Sequence, residues 1–381
     1  MKKPFKVEIS KDILQNIYSK VKNYQWHEMP DDGGWDYGTN LDYMKEFTDY
    51  WVNKFNWRKT EEKINKFNNF KSNIDGIDIH FIHEKGSGSN PKPLLLNHGW
   101  PGSIVEFLHI IDQLAHPEKY GGKEEDGFDV VVPSLPGYGF SGRPSRPIGP
   151  RKMAAIFNSL MTNVLDYKRY VAQGGDFGAT ITTWIAYDFP EKLLGIHINI
   201  LIIRHPDGPQ TKEEKEWQER FKKNQRMEDG YRTQQATKPQ TLSYAMMDSP
   251  VGAAAWIIEK MRGWSDIKNG DIESVYSKDI LLSNIMVYLV TKTFNTASWI
   301  YYGRREEGGR ALPKDHLPLK VPTAIAKFPK EYLEWAPRSY VERIYNIQRW
   351  TEMPRGGHFA ALEQPELLIK DIQEFGKSLK I

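Results

Sequence analysis

The chain of 381 residues contains no cysteine. That excludes a disulfide framework, a thiolate nucleophile and cysteine-ligated metal centres. It also lacks any apolar run approaching eighteen residues, so no transmembrane helix is expected. The opening stretch, MKKPFKVEISKDILQNIY, is basic but has no continuous apolar segment of the kind a secretory signal needs. Blocks of like charge are missing too. Lysine plus arginine number 52 and aspartate plus glutamate 49, a net charge of +3. This balance argues against nucleic acid as a partner and against intrinsic disorder. No internal repeat and no low-complexity tract is found. The expectation is a soluble, cytoplasmic protein, its 39% hydrophobic content sufficient for one large core or two modest ones.

What is present has a clear order. Residues 9–23 place Ile13, Leu14, Ile17 and Val21 on one helical stripe behind Ser10, an N-cap candidate. Residues 41–68 form a second helical region, and the aromatics of YWVNKFNWRK there are expected to pack this segment onto the main body. From Ile74 the pattern changes: IDIHFIHEK alternates like a strand near a hairpin. Short apolar runs follow at 94–97, 128–132, 170–173 and 193–202. Three helical patterns, SIVEFLHIIDQLAHP, KMAAIFNSLMTNVLDY and ATITTWIAYDFPEK, separate several of them. Such alternation predicts an α/β fold, with a mostly parallel sheet and helices on both faces. Residues 205–315 break the rhythm with helical stretches and no clean strand, as a helical insertion would. VPTAIAKFP and QRWTEM then restore strands, and PELLIKDIQEFGKSL gives a closing amphipathic helix.

Within YVAQGGDFGATITTW, the pattern Gly-x-Asp-x-Gly spans Gly174–Gly178. It has the form of a nucleophile elbow, a sharp strand-to-helix turn with small residues around a projecting centre, but that centre is Asp176 and not serine. A carboxylate there can attack carbon and form an ester, and the helix start behind it favours an anion. The plain alternative is a helix-capping aspartate in a glycine-rich turn. A second stretch, LLLNHGWPGS, supplies a loop after an apolar strand; the Trp100 and Phe177 N–H groups are candidate oxyanion donors. His98 beside them is expected to be structural, bonded to backbone. A third stretch, MPRGGHFAALEQPE, places His358 in a loop after the last strand, where a base can reach the elbow. Glu331 could orient that base, with Asp188, Glu334 and Glu352 as rivals on sequence grounds. His80 and His83 alternate to opposite faces of a strand and make no metal pair. No metal or organic cofactor is expected.

These stretches together resemble the microsomal-type epoxide hydrolases of the α/β-hydrolase fold. The resemblance runs through GWDYGTNLDYMKEFTDYW, IDGIDIHFIH, LLNHGWPGS, VVPSLPGYGFSGRP, GGDFG, TKPQTLSYAMMDSPVGAAAWIIEK, VPTAIAKFPKE and RGGHFAALEQPE, nearly the whole chain. It implies an eight-stranded, mostly parallel sheet flanked by helices. The implied organisation is an N-terminal extension (1–72) packing on core and cap, a core in two parts (73–204 and 316–381) and a helical cap (205–315). It implies Asp176 as nucleophile, His358 as general base and Glu331 as orienting acid. It also implies two cap tyrosines that protonate the opening epoxide: Tyr231, and Tyr302 with its neighbour Tyr301 as rival. The residues flanking Tyr302, Ile300 and Gly303, depart from the family pattern. Members with a membrane anchor exist, and this chain looks like an anchor-free one.

The implied reaction opens an apolar epoxide to a vicinal diol through an aspartyl ester, with water as second substrate, in detoxification or aromatic hydrocarbon catabolism. The cap aromatics Trp256, Trp264, Phe294, Trp299 and Tyr301 favour an apolar ligand, Trp299 and Tyr301 being candidates for the pocket wall. The nearest alternative is a haloalkane-type dehalogenase, which uses the same nucleophile but needs indole N–H donors for halide. A second is an inactive binding protein on this fold. The N-terminal segment could support a homodimer.

Overall fold

The computed structural model describes residues 1–31 and 33–380. Nine strands form one sheet: β1 (Lys3–Pro4), β2 (Asn69–Ile74), β3 (Ile77–Glu84), β4 (Lys92–Asn97), β5 (Phe128–Pro133), β6 (Tyr170–Gly174), β7 (Leu193–Ile198), β8 (Pro322–Lys327) and β9 (Asn346–Glu352). Their order is β1-β2-β3-β5-β4-β6-β7-β8-β9. The run β5-β4-β6-β7-β8-β9 is parallel throughout, and β1, β2 and β3 continue it antiparallel. Strands β5, β6 and β7 are buried along their whole length. That is why they read as continuous apolar runs and not as alternations.

The ninth strand corrects the expected eight. Two residues, Lys3 and Pro4, pair with Lys71 and Phe70 at the sheet edge. So short a strand carries no periodicity, and a proline is tolerated there because no further strand needs its missing N–H. The β2–β3 hairpin turns at Asp75 and Gly76, both at positive φ (50° and 80°), as a two-residue hairpin loop requires.

One expected helix is broken. Residues 103–117 read as continuous, but the chain makes a 3₁₀ turn at Ile104–Glu106 and only later a short α-helix at Ile111–Ala115. The Ser103 hydroxyl accepts from the Val105 N–H at 3.2 Å and tightens the first turn.

Between β7 and β8 lie five long helices: Lys212–Thr237, Pro239–Asp248, Pro250–Gly263, Lys278–Thr291 and Phe294–Glu306. A capping box starts the first, with Thr211 and Glu214 satisfying each other's backbone N–H. The N-terminal helices Lys11–Lys22, Leu41–Asn53 and Trp57–Asn65 lie against these. Ser10 caps the first of them, accepting from Ile13 N–H. Polar ties accompany the packing: Tyr50 donates to Asp279 at 3.0 Å, and the Thr60 and Ser283 hydroxyls meet at 2.8 Å. Among the described residues no helix is long and apolar enough to cross a membrane.

Candidate active site

The parallel strands end on one edge of the sheet, and the chemistry gathers there. Asp176 follows central strand β6 and begins helix Asp176–Asp188. Its φ of +45° is left-handed, a conformation an aspartate adopts only at a cost. The glycines around it make the turn sterically feasible. A Cβ on Gly174 would stand 2.2 Å from the Gly178 carbonyl carbon, and one on Gly178 would stand 1.9 Å from the Asn97 carbonyl oxygen. Helix and strands therefore approach closer than any side chain allows, and Asp176 is pushed out of the elbow.

The loop after β4 brings Trp100 to this point. Its N–H donates to Asp176 Oδ1 at 2.9 Å. A Cβ on Gly99 would lie 2.2 Å from that same oxygen, so only glycine lets the loop come so near. Phe177 sits in the first turn of the elbow helix, where an N–H has no intrahelical acceptor. His98 is held apart from the chemistry. Its Nδ1–H donates to the Gly99 carbonyl at 3.0 Å, and its Nε2 accepts from the Leu135 N–H at 3.2 Å. Burial depresses it to a pKa of about 4, so it stays neutral.

The other oxygen of Asp176, Oδ2, lies 3.5 Å from His358 Nε2. His358 comes from the loop after β9, and its Nδ1–H is shared between both Glu331 oxygens, each at 3.0 Å. Burial alone would lower the imidazole's pKa, but the charges of Glu331 and Asp176, with the Glu331 hydrogen bonds, outweigh it and raise it to about 10. The resting imidazole is thus a cation between two carboxylates. The three rival acids are engaged elsewhere: Asp188 with Arg151 at 2.7 Å, Glu334 with Arg220 at 2.8 Å and Glu352 with Lys327 at 3.1 Å.

Aromatic side chains roof this triad. Tyr231, from helix Lys212–Thr237, stacks on Trp100 with ring centres 5.2 Å apart. Tyr301, from helix Phe294–Glu306, stands edge-on to Phe177 at 4.7 Å and to Tyr231 at 5.8 Å. The Tyr301 hydroxyl is buried with no partner among the described residues. Burial, with the Asp176 charge as a further cause, lifts the Tyr231 phenol above its usual range; burial, the Tyr231 phenol and Asp176 do the same for Tyr301.

Likeness to known proteins bears on this arrangement. The family described as epoxide hydrolase N terminus matches residues 2–107, and that described as alpha/beta hydrolase fold matches residues 92–252. Epoxide hydrolase 1 of Sus scrofa is 38% identical over 402 residues, an alignment covering 98% of this chain and 88% of that protein. The chain belongs to the microsomal-type epoxide hydrolase family. Among solved structures, the juvenile hormone epoxide hydrolase of the silkworm Bombyx mori superposes on this epoxide hydrolase with a TM-score of 0.88 at 29% identity, covering 99% of this chain and 94% of that one. The Aspergillus niger epoxide hydrolase superposes at 0.86 and 28% identity, covering 100% and 97%.

The structure separates the adjacent tyrosines of this epoxide hydrolase, and it corrects the expectation for Tyr302. Tyr302 is half-buried, lines a surface cleft with Arg146 and Lys152, and lies under the Arg305 guanidinium at 4.3 Å. Successive helical side chains differ in direction by about 100°, so only one of the pair can face Asp176, and it is Tyr301. Trp299 is also displaced from its expected place on the pocket wall. Its indole N–H donates to Asn295 one turn earlier at 3.0 Å, and its ring makes none of the aromatic contacts of the roof.

Three residues of the hydrolase's site escaped the sequence reading. Tyr332, next to Glu331, stacks on Trp264 at 4.2 Å and shares a 3.3 Å hydrogen bond with the Tyr231 hydroxyl. Glu363 accepts from the Gly357 and Phe359 N–H groups at 2.8 Å each, gripping the loop on both sides of His358. Glu106 lines the space behind Asp176 and His358. Glu363 had a sequence signal, its place within the same motif as His358; the other two had none beyond adjacency.

Proposed function

We propose that this epoxide hydrolase opens apolar epoxides with Asp176 as nucleophile, Tyr231 and Tyr301 as donors to the epoxide oxygen, and His358, oriented by Glu331, as base for the hydrolytic water. One observation carries the reading. The two oxygens of a single carboxylate are differently engaged, one by the Trp100 N–H at 2.9 Å and the other facing a doubly anchored imidazole at 3.5 Å.

Attack from Asp176 Oδ2 on a ring carbon breaks the C–O bond, and the departing oxygen takes a proton from a phenol. The raised phenols are fully protonated at neutral pH, as donors must be. The Asp176 charge that helps to hold them high disappears in the attack, so they become stronger acids as the alkoxide forms. The same loss removes one support of the His358 cation and readies the imidazole to accept a proton from water. Water then adds to the carboxyl carbon of Asp176. The Trp100 and Phe177 N–H groups stabilise the tetrahedral oxyanion, a donor of this kind being worth roughly 3–4 kcal/mol. Collapse frees the diol.

The apolar roof of Trp100, Trp264 and Tyr332 supports an uncharged, lipophilic substrate. A dehalogenase reading needs paired indole donors, and the Trp299 indole N–H is already spent on Asn295. The test is His358→Gln mixed with styrene oxide and followed by intact-protein mass spectrometry. An adduct of one substrate mass on Asp176 is expected to form and persist. A protein that stays unmodified through prolonged exposure refutes the scheme.

A further inference from the structure

Beside Asp176 lies a small cavity of about 20 Å³ bordered by Gly99, Glu106, Gln173, Asp176, Asn199 and His358 and by none of the roof tyrosines. A single water requires roughly 10–15 Å³ of such space and two to four polar partners. The walls offer them. His358 Nε2 and Gln173 Oε1 are buried without a hydrogen-bond partner among the described residues. Gln173 is fixed by its Nε2–H donating to Asn199 Oδ1 at 3.1 Å. Glu106 enters from the 3₁₀ turn Ile104–Glu106, and its Oε1 fills the place where a Cβ on Gly102 would stand, 1.4 Å away. Glycine at 102 is therefore what admits this carboxyl, which forms no hydrogen bond or ion pair within the described residues.

We propose that Glu106 is a further positioning residue of the reaction: with His358 it holds the water that hydrolyses the aspartyl ester, and this cavity is the seat of that water. The inference rests on the reading of Asp176 as nucleophile. Water seated there has one O–H directed to His358 Nε2 and the other to the Glu106 carboxyl, leaving its lone pair for the carboxyl carbon of Asp176.

Charged and titratable groups surround Glu106. Facing it are Asp176 and His358, together with the phenols of Tyr276 and of Tyr288 on helix Lys278–Thr291. Burial raises the Glu106 carboxyl, His358 pulls it down and Asp176 pushes it up, leaving it at about 8. When Asp176 becomes a neutral ester, that last push ends. His358 gives up its proton at the same stage, so the pull that lowered Glu106 ends too, and the two changes oppose each other at this carboxyl.

The protons balance. Ring opening leaves a phenolate, which takes the proton of the His358 cation. The neutral imidazole then removes a proton from water while the water oxygen bonds to the Asp176 carboxyl carbon. Collapse breaks the bond to the alkyl oxygen, which leaves with the proton from His358. The Asp176 carboxylic acid returns its proton to His358. Glu106 accepts a hydrogen bond throughout and undergoes no net transfer.

The test is rapid-quench kinetics of Glu106→Gln and Glu106→Asp with styrene oxide, separating adduct formation from adduct decay between about pH 6 and 9. Misplacing a reactant by about 1 Å can cost on the order of 10² in rate. Glu106→Gln is expected to alkylate within about threefold of wild type and to hydrolyse the ester roughly 10–10²-fold more slowly, with the pH dependence of the decay step altered. Glu106→Asp, which keeps the acid but withdraws it, is expected to show the same selective slowing to a smaller degree. Decay at the wild-type rate in both variants overturns the proposal and leaves Asp176 untouched. Equal slowing of both steps marks a merely structural role and also overturns it. Should diol appear with no adduct in either these variants or His358→Gln, the underlying covalent reading falls instead.

Discussion

At the scale of single residues, the sharpest distinction lies between two neighbouring tyrosines. Tyr301 is buried against Phe177 and Tyr231, while Tyr302 stacks under Arg305 at the surface. In the proposed reaction the Tyr231 and Tyr301 phenols donate to a developing alkoxide, where each donor counts for several kcal/mol because the charge arises in a water-poor site. Tyr301→Phe is expected to slow adduct formation by about 10²–10³. Tyr302→Phe is expected to leave it within about twofold, as surface substitutions leave stability. Stopped-flow tryptophan fluorescence during alkylation measures both, aided by Trp100 against Tyr231. The reverse ranking would return the role to Tyr302. Glu363 works differently, through the backbone on both sides of His358. Burial raises its pKa to about 7 despite three backbone donors, those of Asp266, Phe359 and Gly357.

At the scale of elements, the site depends on how strands end and on what pins the last helix to them. Helix Pro365–Ser378 carries Asp371 into a buried cluster, where it accepts from Arg349 at 2.8 Å, from Thr351 at 2.7 Å and from His197 at 3.0 Å. These partners belong to β9 and β7, so one carboxylate ties three elements behind the triad. Burial alone would raise the Asp371 carboxyl, but His197, Thr351 and Arg349 overcome it and hold it at about 2. A folded value below the unfolded one of 3.8 means stability that is present above pH 3.8 and lost as pH falls through about 2. Asp371→Asn is therefore expected to cost about 3–5 kcal/mol at neutral pH, the usual cost of breaking a buried pair. The deficit should shrink by roughly 2 kcal/mol as pH falls from about 4 to 2, the part that the lowered carboxyl accounts for. Urea unfolding across that range checks it; a pH-independent deficit would assign the effect to packing alone.

At the scale of the whole molecule, the N-terminal segment is tied to the helices between β7 and β8 by packing and by polar contacts. Lys278, on cap helix Lys278–Thr291, bridges to Glu46 at 2.8 Å and to Glu273. Trp51 and Phe47, from helix Leu41–Asn53, are fully buried. A cap clamped in this way is expected to unfold with the body that carries Asp176. Trp51→Ala is expected to lower global stability by about 3–5 kcal/mol, as large core truncations do. Activity and far-ultraviolet circular dichroism should then be lost in one coincident urea transition. Two separate transitions would make the segment an independent appendage.

Much of this was decided by the order of residues. Short apolar runs ending in glycines specify parallel strands and a tight elbow, because only glycine survives contacts of 1.9–2.2 Å. The chain order of Asp176, Glu331 and His358 then fixes which strand ends must carry them. Periodicity, however, says which residues share a face and not which face meets the nucleophile. For that reason periodicity does not tell Tyr301 from Tyr302, nor show that the Trp299 indole N–H turns to Asn295. Residue spacing alone leaves Glu331 level with Asp188, Glu334 and Glu352; the family resemblance singles it out, and the packing pairs it with His358 and each rival with a cation. The broken helix at 103–117, which turns Glu106 toward the cavity, and the proximity of Tyr332 to Tyr231 belong to the tertiary structure alone. They follow from contacts between segments far apart in sequence, and local spacing carries no record of those.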